Sequence, residues 1–392
     1  MLNKKVAAIA AASGMTIAGL ALGITPAKAF DPVSNSYAIV GSDTLEDAVG
    51  ALVNGTSVTD SSVRVTTSDS STLASWDATG STSIITKPYT TRFQRPNGSG
   101  DGRTALKAAI AGTNYTSSFS GRDASLDATP VAGKIDIVRG SSGGTISGSG
   151  VMQRYTFGRD AIAFAYGASV TPGANGYISP ADVVKMYQCD SATLSAYGVT
   201  HPVIPQAGSG TRSDFISKLA TASGDSSFTD AQVITHYTTN SGCVSIGQEH
   251  DASTLGATEI MPMSASRWIA MKNGASYNRA GSATLGSLVS GTAATSGTAP
   301  VLPVLAYYKD STWGRDTYLF VDKNRVDSTN GSYDAVLKAL FSYTDETSLT
   351  YQGDTVLGSL SSLPTFGAYT SAAVKLKFGF LPASVKDTQL VN

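Results

Sequence analysis

Charge is scarce in this chain. Only 15% of its 392 residues are charged, and the two signs nearly cancel at 28 basic against 29 acidic. With no run of like charge, binding to nucleic acid through a broad basic face is disfavoured, although one or two arginines inside a cleft remain compatible with such a surface. Histidine occurs three times and cysteine twice. The chain contains no H-E-x-x-H and no C-x-x-C, so metal-ligand spacing is missing. It also lacks the G-x-x-x-x-G-K-[ST] loop that cradles nucleotide phosphates. No metal and no cofactor is therefore expected, and no repeat of solenoid period is evident.

The first residues do carry a pattern. Lys4 and Lys5 precede a mostly apolar run from Val6 to Ile24, and Ala27-Lys28-Ala29 follows. This reads as a secretory signal peptide cleaved after Ala29, with no cysteine beside the cut to carry a lipid anchor. The mature chain is then expected outside the cytoplasm, in a periplasm or at a cell surface, with no span left in the membrane. Its roughly 360 residues exceed what one core usually fills, so two domains are expected. In an exported chain Cys189 and Cys243 should pair, closing a loop that stabilises by about 4 kcal/mol on a chain-entropy estimate.

Beyond residue 30, short apolar runs alternate with helical patterns, the signature of an α/β fold with largely parallel sheets. Gly41-Ser42-Asp43-Thr44-Leu45-Glu46-Asp47 and Gly208-Ser209-Gly210-Thr211-Arg212-Ser213-Asp214 share the form G-S-x-T-x-x-D, each after a strand-like run. Thr211 and Asp214 have the spacing of a helix capping box. Glycine-freed backbone, hydroxyls and a helix start together suit an anion. Arg95-Pro96-Asn97-Gly98-Ser99 opens another helix, and Ile135-Asp136-Ile137-Val138 runs as a strand into Arg139-Gly140-Ser141-Ser142. Four such loops stand at strand ends, where open α/β sheets gather ligands. Further along, 67–94 reads as polar loop, Ser179-Pro180-Ala181-Asp182 and 264–272 as helix starts and bodies, and Tyr333 to Tyr343 as an amphipathic helix.

Two readings compete with anion binding. Gly140-Ser141-Ser142-Gly143-Gly144 fits the G-x-S-x-G elbow of a serine hydrolase using Ser142, with His201, His236 or His250 as base, yet no strong helical pattern follows Gly144. The other is a secreted surface or interaction protein that keeps the fold without transporting anything.

In order, Gly41-Ser42-Asp43-Thr44, Arg95-Pro96-Asn97-Gly98-Ser99, Ile135 to Ser142, Arg159-Asp160-Ala161, Gly208-Ser209-Gly210-Thr211-Arg212 and Gly379-Phe380-Leu381-Pro382 resemble the phosphate-binding substrate-binding proteins of bacterial ABC importers, closest to the secreted type of actinobacteria. The resemblance implies a two-lobed periplasmic-binding-protein-like (type II) fold, each lobe a mostly parallel sheet flanked by helices. Lobe I would comprise residues 30–154 plus 313–392 and lobe II residues 155–312, after a signal peptide over 1–29. It implies a monomer that performs no chemistry, binds phosphate or a similar oxyanion, and hands it to a membrane permease. The implied ligand residues are Asp43, Thr44, Leu45, Ser99, Arg139, Ser141, Ser142, Ser209, Gly210, Thr211 and Arg212. Pro205 stands where the family has an arginine, so Arg212 or Arg139 is expected to supply the positive charge. The family's acceptor aspartate has no counterpart in these loops unless Asp43 or Asp101 substitutes.

Overall fold

The computed structural model describes residues 36–58 and 61–392; the signal-peptide reading lies outside these. The frame is a ten-stranded sheet. In chain order its framework is β1 (Tyr37–Gly41), α1 (Glu46–Asn54), β2 (Leu73–Ser75), α2 (Ser99–Ala111), β3 (Ile137–Gly140), β4 (Met152–Tyr166), α3 (Pro180–Tyr187), β5 (His201–Pro205) and α4 (Gly210–Ser223). There follow β6 (Ser245–Gly247), β7 (Glu259–Ser264), α5 (Ala265–Lys272), β8 (Thr284–Gly286), β9 (Gly314–Asp322), α6 (Ser371–Lys377) and β10 (Thr388–Val391). The strand order is β6-β5-β7-β4-β9-β3-β1-β2, with β8 and β10 also pairing β4. Pairing is parallel at both ends of the sheet, β2-β1-β3 and β6-β5-β7, as α/β alternation dictates. Its middle is antiparallel, because β4 runs against β7 and β9, and β9 against β3.

Side-chain alternation in the strands explains why both faces are covered. Tyr37 and Ile39 of β1 pack on one side with Leu45, Val49 and Leu52, whereas Ala38 and Val40 pack on the other with Trp76, Phe93 and Leu106. At the other end Ile204 of β5 joins Val183, Tyr187, Phe215 and Leu219, while Val203 faces Met261, Met263 and Trp268. A strand buried on both faces needs continuous apolar character, and β1 and β3 are buried throughout.

Cys189 and Cys243 form a disulfide with Cα atoms 5.7 Å apart, as the pairing argument expected. It ties the end of α3 to the segment entering β6.

Three local expectations change. The 67–94 region contains β2, a strand of the main sheet that a polar context hides. The amphipathic helix over 333–343 shrinks to Ala335–Ala339. There Asp334 caps the helix start by accepting from Leu337 N, and Tyr343 is drawn away to meet Thr156 and the Asp387 carbonyl. The helix start at Thr211 lies earlier than its capping-box spacing suggests. Ser209 is the cap, its hydroxyl accepting from Arg212 N at 3.0 Å, and α4 begins at Gly210.

Candidate functional site

Three of the implied loops lead from a strand into a helix, and the fourth, after β3, runs on to β4. Ser42 caps a short turn, Asp43–Leu45, by accepting from Thr44 N, and α1 continues from it. Gly98 precedes α2, with φ +113, and a Cβ there would strike the Gly208 carbonyl. Gly208, with φ +85, bends the chain so that its carbonyl accepts from Gly100 N at 3.1 Å. These contacts fasten the start of α2 to the loop before α4.

The hydroxyls converge. Thr44 Oγ1 lies 3.5 Å from Thr211 Oγ1, and Ser99 Oγ lies 3.0 Å from Ser141 Oγ, which shares its loop with Ser142. Ser141 N also donates to Ser99 Oγ at 2.9 Å. Gly210 presses between them so closely that a Cβ would collide with both the Ser141 and Ser99 hydroxyls. Ser42, Asp43, Thr44, Leu45, Ser99, Ser141, Ser209 and Thr211 are all buried.

The expected cations sit elsewhere. Arg139 is wholly buried and donates to the carbonyls of Ser42, Gly41 and Trp76 and to Ser75 Oγ, so it braces the β1 and β3 ends rather than facing the hydroxyls. Arg212 pairs with Asp230 through two hydrogen bonds, at 2.6 and 2.8 Å, and donates to the Pro205 carbonyl. Arg315 takes the place among the threonines. Its Nη2 donates to Thr211 Oγ1 at 2.8 Å and to Thr44 Oγ1 at 3.3 Å, leaving each hydroxyl its own hydrogen to offer.

Arg315 is held from two sides. Asp160 accepts from its Nε at 3.0 Å and Nη2 at 2.9 Å, and Asp214 lies 3.2 Å from Nη1. Burial works against the charge on Arg315, but the two carboxylates outweigh it and hold its pKa above the ordinary value. Asp160 is itself oriented by the hydroxyls of Ser264 and Ser266.

Beside Thr211 lies a buried acidic group. His250 Nδ1 is 2.8 Å from Asp43 Oδ1, and its Nε2 is 3.4 Å from Thr211 Oγ1. Arg267 approaches Asp43 at 3.3 Å and Glu46 at 3.6 Å and pairs with Asp47. Burial would push Asp43 up, but Arg267 and His250 together hold it down at about 2. Glu46 goes the other way, raised to about 8 by burial and then by the Asp43 charge. Asp43 Oδ2 and both carboxylate oxygens of the fully buried Glu249 have no hydrogen-bond partner. Asp101 does not offer a free acceptor, because its oxygens take bonds from Ser117 and Ser118.

The Glu46 pKa lies above its unfolded value of about 4.3. The folded state then binds the extra proton between those values, so this contribution is complete below pH 4 and is lost as pH rises toward 8. Urea unfolding at pH 5 and pH 8 is expected to show a larger loss for the parent than for Glu46→Gln, on the order of 2 kcal/mol. Equal losses would rule out a buried, proton-holding Glu46.

The elbow reading lacks its geometry. No helix follows β3, as β4 is the next regular element, and His250 lies against Asp43 and Thr211. Ser142 Oγ instead accepts from Arg103. Among the described residues no group of three or more His, Cys, Asp or Glu is placed to hold a metal ion, and no helix is long and apolar enough to cross a membrane.

Neither a family model nor a curated protein matches the chain. Solved structures do align with it. One is a phosphate binding protein from Stenotrophomonas maltophilia, at 10% identity and TM-score 0.49, covering 89% of this chain and 91% of that one. An ABC-type phosphate transport receptor from Vibrio cholerae aligns at 12% identity and TM-score 0.40, over 77% and 93%. A human phosphate binding apolipoprotein aligns at 11% identity and TM-score 0.43, over 89% and 92%.

Proposed function

We propose that this chain is an extracytoplasmic binding protein for phosphate or a similar protonated oxyanion, which it delivers to an ABC importer without transforming it. The observation that supports this most is the burial of Thr44, Ser99, Ser141 and Thr211 together with Arg315. Hydroxyls and a fixed guanidinium are donors, and a dehydrated oxyanion is the ligand that needs them. The unmatched oxygens of Glu249 and Asp43 fit a ligand that brings its own hydrogen, since a buried carboxylate without a donor is costly. A fully ionised anion such as sulfate would bring those oxygens no hydrogen.

In this reading residues 30–154 with 313–392 form one lobe and 155–312 the other, with the hydroxyl loops drawn from both. The mature chain acts as a monomer outside the membrane.

Calorimetric titration of ligand-stripped protein is expected to give tight binding of phosphate and binding of sulfate at least 100-fold weaker. No binding of either in large excess would sink the transport reading and leave a secreted interaction protein.

A further inference from the structure

A cavity of about 730 Å³ opens beside the hydroxyl loops, and Gly100, Ser142, Ser209 and Gly210 form its near wall. Its volume suits a small organic molecule rather than a bare tetrahedral ion. The far wall is partly apolar, with Ile216, Ala220 and Phe228 among the lining residues.

Arg103 is the residue that gives the cavity a chemistry. It lies four positions after Ser99 on α2, so the two share a helix face about one turn, or 5.4 Å, apart. Its Nη1 donates to the carbonyl and hydroxyl of Ser142 at 3.0 and 3.1 Å. No carboxylate among the described residues pairs with it, as Asp214, the nearest charge acting on it, is engaged by Arg315. The other cavity arginine, Arg212, is matched by Asp230. Arg103 is therefore a half-buried guanidinium with donors to spare, held against Ser142, the residue next to Ser141.

We infer that the cavity receives the organic part of a phosphate monoester that carries a carboxylate, with Arg103 pairing that carboxylate. The phosphoryl group would sit at the end of the cavity walled by Ser142, Ser209 and Gly210, against the loops that carry Ser99, Ser141 and Thr211, so the inference rests on the oxyanion reading above. A guanidinium fork suits a carboxylate in a way no hydroxyl does. The apolar far wall accommodates a short carbon body.

The test titrates stripped protein with inorganic phosphate, glycerol 3-phosphate and 3-phosphoglycerate. The carboxylated ester is expected to bind at least 10-fold more tightly than glycerol 3-phosphate. Arg103→Ala should remove that advantage, read as the ratio of the two ester affinities, and Ala220→Phe, which narrows the cavity from the far side, should weaken both esters only. Phosphate binding without any advantage for 3-phosphoglycerate, or an advantage that survives both substitutions, would overturn this inference and leave the oxyanion reading standing. Failure of all three ligands would overturn both.

Discussion

Arg315→Met is expected to destabilise the protein by about 3–5 kcal/mol, because it leaves the fully buried Asp160 beside no counter-charge and takes from Asp214 its ion-pair partner. Methionine fills a similar volume, so the loss measures the unmatched charge rather than a cavity. Asp160 retains the hydroxyls of Ser264 and Ser266, which soften but do not cancel that cost. Phosphate affinity should fall below detection at the same time, since Thr44 and Thr211 lose the donor that orients both hydroxyls. Arg315→Lys keeps the charge but not the fork that reaches Asp160 and two threonines together. It should recover part of the stability and little of the binding. Urea unfolding combined with titration checks this, and a stable Arg315→Met variant that binds phosphate normally would remove Arg315 from the site.

Gly210→Ala is expected to abolish oxyanion binding, by at least 100-fold, through the addition of one methyl group. Its Cβ would meet the Ser141 and Ser99 hydroxyls, and both loops would have to move apart to admit it. Overpacking of this kind costs about 1–3 kcal/mol, so the fold should survive where the site does not. Alanine is a good helix former at the start of α4, which offsets some of the cost. Calorimetry alongside a melting curve separates the two effects. Unchanged phosphate affinity in a folded Gly210→Ala would mean that the ligand does not use this seam.

The two substitutions probe parts of the site that differ in how they could be read from sequence. Gly210, Thr44, Ser99 and Ser209 stand in short motifs where a strand ends and a helix begins, and Ser141 in a glycine- and serine-rich strand end, so local grammar alone marks them. Arg315 carries no such mark. It lies inside β9, and its partner Asp160 lies directly across from it on β4, 155 residues away in the chain. Nothing local distinguishes it from Arg139 or Arg212, which sit closer to the motifs and were the natural choices. Arg139 is drawn to backbone carbonyls and Arg212 to Asp230 because those acceptors are within reach only after folding. Glu249 and His250 carry no local mark either: the Glu249 carboxylate is buried without a hydrogen bond, and His250 meets Asp43 from 207 residues away.

By itself the sequence determined the elements whose causes are local: the apolar runs of β1 and β3, the serine cap at Ser179, and the loops rich in glycine and hydroxyls. Tertiary structure alone decided which arginine meets which carboxylate, which carboxylates remain unmatched, and that a polar stretch such as Leu73–Ser75 would join the sheet. The division has a physical reason. Caps and turns are settled by hydrogen bonds within a few residues, whereas a buried charge is settled by whichever opposite charge the fold brings within about 4 Å.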